Sequence, residues 1–218
     1  MRIDRNSYGT LAIVYGISIA AAAALLLFVH KPLIVWPCIA LLLWFCIWQT
    51  AFFRVPVRSC PGNGRKVTSV ADGRVVILEK AFEPEILKCD CMQVSVYMNF
   101  FDVHSNFWPL DGSIVKYEYH PGDHFFANHP KSSLLNEHTV VLMKGDAGKP
   151  LVFKQIAGGF ARRIVCHAVP GKKVKAGTQC GIIKFGSRID MFLPLDADVK
   201  VRLGDLVRAC ETEIAEIN

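Results

Sequence analysis

Ile182-Ile183-Lys184-Phe185-Gly186-Ser187-Arg188-Ile189-Asp190 is the stretch from which the rest of this chain can be read. Apolar segments flank a Gly-Ser-Arg step, the pattern of a strand entering and leaving a tight bend. Gly186 has no Cβ, so its backbone reaches conformations that cost other residues about 1 kcal/mol or more. That freedom lets the Ser187 hydroxyl turn back onto the Gly186 carbonyl. By itself the pair also reads as ordinary loop punctuation, and the neighbouring sequence must decide between a turn and a reactive bond.

Outward from this bend the chain is patterned for strands. Segments 74–78, 92–101, 113–119, 140–143 and 151–153 are β-branched, apolar or partly alternating. Asp72-Gly73 and Asp111-Gly112 precede two of them, and both residue types tolerate the left-handed backbone of a turn. A single helix is expected over 155–167, where Ile156, Phe160, Ile164 and His167 share one face. A valine, basic residue and glycine rhythm in 170–177 returns in 199–209. Such units between short strands resemble the barrel-sandwich hybrid of lipoyl-type domains. The fold class expected is mainly β (α+β), a compact β domain of barrel-sandwich-hybrid character behind an N-terminal α-helical hairpin.

That hairpin carries most of the apolar excess in a chain that is 52% hydrophobic. Residues 11–29 and 33–53 are charge-free runs, each long enough to cross a bilayer as a helix, separated by His30-Lys31-Pro32. Gly16, Ala20 and Ala24 leave a smooth stripe on which a second helix could pack closely. Arg2 and Arg5 precede the first run and Arg54 and Arg58 follow the second, which places both ends in the cytoplasm. A secretory signal would stop at the alanines, whereas here the apolar run continues and a second follows; a buried core hairpin would rarely be free of charge for so long. The expected organisation is a membrane hairpin over 1–53, a Pro- and Gly-containing linker over 54–66 and a β-rich domain over 67–218.

The net charge of +6 comes from scattered rather than blocked Lys and Arg. Beside an apolar anchor this suits an anionic lipid surface, and no zinc finger, RNA-binding signature or basic helix points to nucleic acid. Eight cysteines offer one close pair, Cys89 and Cys91, without a second pair at zinc-ligand spacing. They read as reduced packing thiols of a cytosolic compartment. His120 and His124 are separated by Pro121-Gly122, which breaks any helix that would align them, so they read as loop histidines and no metal centre is expected.

Three segments carry chemistry beside the bend: Asp72 in a turn, His104 at the end of an aromatic strand and Ser187. Carboxylate, imidazole and hydroxyl on separate segments are the ingredients of an activated nucleophile, in which the base takes the hydroxyl proton and the carboxylate orients the base. Residue types alone leave the alternatives open, since Asp72 also suits a plain turn and His104 a strand edge.

Ala71-Asp72-Gly73, Phe101-Asp102-Val103-His104 with Asn106, Asn136-Glu137, Gln155-Ile156-Ala157-Gly158 with 161–165, and Lys184-Phe185-Gly186-Ser187-Arg188 stand in one order. In these blocks the chain resembles the short, membrane-anchored bacterial and archaeal type of phosphatidylserine decarboxylase, from Val67 onward. The resemblance implies a proenzyme that cuts itself between Gly186 and Ser187. Ser187 would attack the Gly186 carbonyl with His104 as base and Asp72 as its orienting partner. A pyruvoyl group would remain at residue 187, on an α chain of 187–218 held to a β chain of 1–186. That group would form a Schiff base with phosphatidylserine in the membrane and release CO2, with His104 returning a proton. Arg162, Arg163, Arg188 and His138 are the candidates for the lipid phosphate, although His138 stands where the family commonly has arginine. Phe107-Trp108 suits either the lipid interface or buried packing. The implied location is a bacterial inner membrane with the catalytic domain facing the cytoplasm. Two rivals remain: a membrane-anchored lipoyl-like adaptor without catalysis, whose hairpin tip would need a modifiable lysine, and a serine hydrolase using the same three residues, which would leave one intact polypeptide.

Overall fold

The computed structural model describes residues 1–61, 64–123, 135–145, 148–159, 163–184 and 187–217. The chain divides into two compact units, Met1–Pro56 and Val57–Asn218.

In the first unit, strand β1 (Arg2–Ile3) pairs antiparallel with β2 (Arg54–Val55), so the two ends of the unit are clipped together. Between them run helices α1 (Tyr8–Phe28) and α2 (Pro32–Phe52). Pro32 opens α2 in the first turn, where its missing N–H would have no helical partner. Both helices are long and apolar enough to cross a membrane. Their facing residues differ from the expected small-residue stripe. Tyr15, Ser18, Ile19 and Ala22 of α1 face Ile39, Leu42, Leu43 and Cys46 of α2 across a cavity of about 290 Å³, whereas nothing lies within 4 Å of where a Cβ on Gly16 would be. The Tyr15 and Thr50 hydroxyls hydrogen-bond between the helices. In an apolar medium a hydroxyl does best with a protein partner, which favours this face over the stripe.

The second unit is built from strands. In chain order they are β3 (Lys66–Thr68), β4 (Gly73–Glu83), β5 (Cys89–Met98), β6 (Ser105–Phe107), β7 (Gly112–His120), β8 (His138–Gly145) and β9 (Pro150–Ala157). There follow β10 (Arg163–Cys166), β11 (Lys173–Val174), β12 (Gln179–Lys184), β13 (Ser187–Leu193), β14 (Asp198–Val199), β15 (Leu206–Val207) and β16 (Glu213–Glu216). One eight-stranded sheet has the order β11-β7-β8-β9-β13-β5-β4-β15, and two three-stranded sheets run β10-β12-β6 and β14-β16-β3. The fold is mainly β, as expected.

Two features position the site. First, β12 belongs to a small sheet and β13 to the middle of the large one, so the chain changes sheet between Lys184 and Ser187. Second, side chains alternate along β13. Ile189, Met191 and Leu193 join the main core with Val94, Val96 and Phe153, so Ser187 points to that same core side. Phe192 joins a smaller cluster with Cys91, Val140 and Val152, so Arg188 and Asp190 point to the outer side.

The helix expected over 155–167 is not formed. Residues 155–157 end β9 and 163–166 form β10, while 160–162 lie outside the described residues. Positions four apart share a face in a strand as well as in a helix, so the apolar spacing that suggested a helix does not separate the two. Phe107 and Trp108 are buried, with Trp108 packed edge-on to Phe153 at 5.9 Å, which decides for core packing. His120 ends β7 rather than lying in a loop; His124 lies outside the described residues.

Candidate active site

Gly73 opens β4 with φ +150°, and a Cβ there would stand 2.1 Å from the Tyr97 carbonyl oxygen. The turn therefore needs glycine, and it delivers Asp72 at a fixed place beside β5. The preceding segment lies along β6: Thr68 N–H donates to Pro109 O at 2.8 Å and Phe107 N–H to Val70 O at 2.9 Å. On its other side β6 pairs with β12, with Ser105 opposite Ile182 and Asn106 opposite Gly181. Ile183 N–H donates to the His104 carbonyl at 3.3 Å. The segments carrying Asp72, His104 and the approach to Ser187 are thus adjacent, with β6 between the other two.

Ser187 is fully buried as the first residue of β13, opposite Ala157 of β9 and Met98 of β5. Its Oγ donates to Met98 Sδ at 3.6 Å, a weak acceptor. A chain of amides lies beside it. Asn106 Nδ2 donates to the same sulfur at 3.9 Å, Gln155 Nε2 to Asn106 Oδ1 at 2.8 Å, and Thr139 Oγ1 to Gln155 Oε1 at 2.9 Å. Gly181 makes room for this chain, since a Cβ there would lie 2.8 Å from Gln155 Nε2 and 2.2 Å from the Val165 carbonyl oxygen. Gly186, the other half of the expected scissile bond, lies outside the described residues.

His104 is fully buried, with Nδ1 3.0 Å from the Asp102 carbonyl oxygen. A carbonyl only accepts, so Nδ1 carries a proton. Asp72 directs its carboxylate elsewhere: Oδ1 accepts from Arg58 Nη1 and, at 2.8 Å, from Ala209 N–H, and Oδ2 accepts from Arg58 Nη2 at 2.7 Å. The Asp72 hydrogen bond raises the Arg58 guanidinium above its ordinary value. The hydrogen bonds of the described residues give His104 the Asp102 carbonyl and give Asp72 a cation in Arg58. Arg58 was not anticipated, because it sits in a stretch that reads as linker.

Of the four lipid-phosphate candidates, Arg163 is exposed at the start of β10, and Arg162 lies outside the described residues. Arg188 is 1% exposed and forks onto Asp190, Nε to Oδ1 at 2.7 Å and Nη2 to Oδ2 at 3.0 Å. His138 lies opposite Ile156, which lies opposite Arg188, so both point to the outer side, away from Ser187. That side holds a charged cluster the sequence reading missed. Lys154, 1% exposed, bridges Glu83 at 2.9 Å and Glu85. Glu83 also accepts from the Ile86 and Leu87 amides at 2.8 and 2.7 Å, fastening the turn between β4 and β5. Burial pushes Glu85 up, but hydrogen bonds from His138 and Lys154 outweigh it and hold the carboxyl at about 2. All eight cysteines are free thiols; Cys91 is pushed up to about 12 by burial and by Cys89 beside it.

Comparison with known proteins bears on what this arrangement does. Residues 45–215 match the family model described as phosphatidylserine decarboxylase. The chain is 42% identical over 171 residues to a phosphatidylserine decarboxylase proenzyme of Amoebophilus asiaticus, covering 78% of this chain and 76% of the relative. It is 43% identical over 167 residues to the proenzyme of Nitrosomonas europaea, covering 77% of each. With that of Magnetococcus marinus the identity is 35% over 215 residues, 99% of this chain and 95% of the relative.

Proposed function

This chain belongs to the phosphatidylserine decarboxylase family, and on that premise we propose that it is made as a proenzyme, cuts itself before Ser187, and decarboxylates phosphatidylserine to phosphatidylethanolamine. The observation that carries the proposal is the convergence at one residue. A buried serine heads a central strand, immediately after the chain crosses between sheets, and a buried histidine accepts at its backbone carbonyl from Ile183 of the strand that leads into that crossing.

In the first reaction His104 Nε2 takes the Ser187 hydroxyl proton as Oγ attacks the Gly186 carbonyl carbon. The C–N bond breaks, the Ser187 nitrogen gains the proton, and an ester joins the two halves. Loss of the Cα proton then expels the Gly186 carboxylate and leaves a dehydroalanine. Water converts that residue to a pyruvoyl group with release of ammonia. Met98 and Ala157 beside Ser187 are walls without charge, which suits a neutral keto group, and the amides of Asn106 and Gln155 supply polar contacts close by. The residues around position 187 therefore fit a pyruvoyl. When present it supplies a carbonyl that accepts the electrons left on Cα by the departing CO2.

The chain's own residues do the remaining work. His104 holds the proton that must return to Cα, with its ring fixed by the Asp102 carbonyl. The Asp72–Arg58 pair ties the turn before β4 to the backbone at Ala209, on the C-terminal piece, through Ala209 N–H to Asp72 and Arg58 Nη1 to Ala209 O at 3.1 Å. The two pieces stay together because β13 is hydrogen-bonded on both sides to strands of the larger piece. Of the candidates described, Arg163 is the one exposed to reach a lipid phosphate from the surface, and Arg188 and His138 serve the framework. The α1–α2 hairpin brings the enzyme to a substrate whose acyl chains stay in the bilayer. The catalytic unit then works at the cytoplasmic surface.

Replacing Ser187 with alanine tests the reading. Purified Ser187→Ala protein is expected to remain one full-length chain and to release no CO2 from phosphatidylserine vesicles. Normal CO2 release by that variant would overturn the proposal.

A further inference from the structure

On the outer side of the large sheet, away from Ser187, three side chains from three segments converge: Glu85 from the turn between β4 and β5, His120 from the end of β7 and His138 from the start of β8. One ligand-capable atom from each lies within 4.8 Å of the others. Donors on one tetrahedral zinc stand about 3.4 Å apart for metal–ligand bonds of about 2.1 Å, so rotation of the side chains, with the two imidazoles turning out of their parallel stack, would close this set around an ion.

His138 is anchored at both ring nitrogens: Nδ1 is 2.6 Å from the Asn136 carbonyl oxygen and Nε2 is 2.9 Å from Glu85 Oε1. The His120 ring lies parallel to His138 with centroids 4.7 Å apart, and its Nε2 is 3.3 Å from Glu118 Oε2.

Among the described residues, the ion pairs around the cluster join Lys154 to Glu83 and Glu85, and Lys116 to Glu118. The outer shell of a metal site is already built: the Asn136 carbonyl oxygen holds the ring of His138 at Nδ1, and Lys154 holds Glu85 by its other oxygen. The side chain of His120 is 37% exposed, which gives an ion a way in and leaves a fourth position for water.

We propose that Glu85, His120 and His138 form a binding site for a divalent transition metal of the zinc type, which staples the β4–β5 turn to β7 and β8. Two imidazoles and a carboxylate are the donors such an ion takes, whereas magnesium or calcium would call for oxygens. The site lies apart from Ser187 and is structural or regulatory rather than part of the decarboxylation.

The test is titration of the full-length, chelator-treated protein in detergent with Co2+, followed by visible absorption, and then displacement by Zn2+. One Co2+ per chain with a ligand-field band is expected, together with a zinc-dependent rise in thermal midpoint. His120→Ala, at a part-exposed position, should weaken binding by more than about tenfold and abolish that rise; Glu85→Gln should do the same. Folding of each variant is checked by its thermal transition in chelator. Absence of stoichiometric binding by the parent overturns the site. So does binding that survives both substitutions, or binding lost in Cys89→Ser instead, which would assign the metal to the cysteine pair.

Discussion

Arg58 and Asp72 show how a single pair can matter to a reaction it does not touch. The guanidinium holds the carboxylate of the turn, and both bond to the backbone of Ala209, 22 positions after Ser187. Arg58→Gln leaves a largely buried carboxylate with its backbone partner alone, at a cost of about 1–3 kcal/mol. The variant is expected to have a lower thermal midpoint and to process more slowly than the parent, read as the uncut fraction on a denaturing gel over time. Glu85 sets a pH dependence at the same scale. Its folded-state value lies below the ordinary 4.5, so the ionised form stabilises the fold above that pH. The contribution is lost as pH falls from about 4.5 towards 2. Glu85→Gln should flatten the acid limb of thermal midpoint against pH in that window, and an unchanged limb would remove Glu85 from the account.

Among the elements, the strands around the bend were legible and their partners were not. Asp-Gly steps announced β4 and β7, and alternation marked β5, because turn chemistry and period-two burial are local. Gln155, Ile156 and Ala157 were misread as a helix start because their neighbours' spacing fits both periods. The register that puts Ser187 beside Met98 and Ala157 is a long-range matter that no local pattern carries. The small-residue stripe of α1 failed for a similar reason: Tyr15 and Thr50 decide the contact together, from helices whose mutual rotation is not written in either. Asp72, His104 and Ser187 were legible as types, whereas Arg58 and the Lys154 cluster were hidden in a linker-like stretch and an ordinary strand. At this scale Gly73→Ala is the sharp probe. A Cβ meets the Tyr97 carbonyl at 2.1 Å, so the start of β4 must move or strain, with a loss of about 3 kcal/mol or more. Little soluble, processed protein is expected on expression, and normal yield and cleavage would contradict the tight turn.

For the whole molecule, the division at Pro56 separates a hydrophobic hairpin from a unit with its own core. A chain beginning at Val57 keeps every residue assigned to the chemistry. It should fold, cut itself and turn over dispersed substrate, while losing flotation with phosphatidylserine vesicles in a density gradient. Retained flotation would move membrane attachment from the hairpin to the β unit. The account as a whole stands on one bond, between residues 186 and 187. The intact mass of the purified full-length protein under denaturing conditions tests it most directly. Two species are expected, one ending at Gly186 and one of residues 187–218 whose first residue has the mass of a pyruvoyl group; a single 218-residue chain from protein that is active on phosphatidylserine would contradict it.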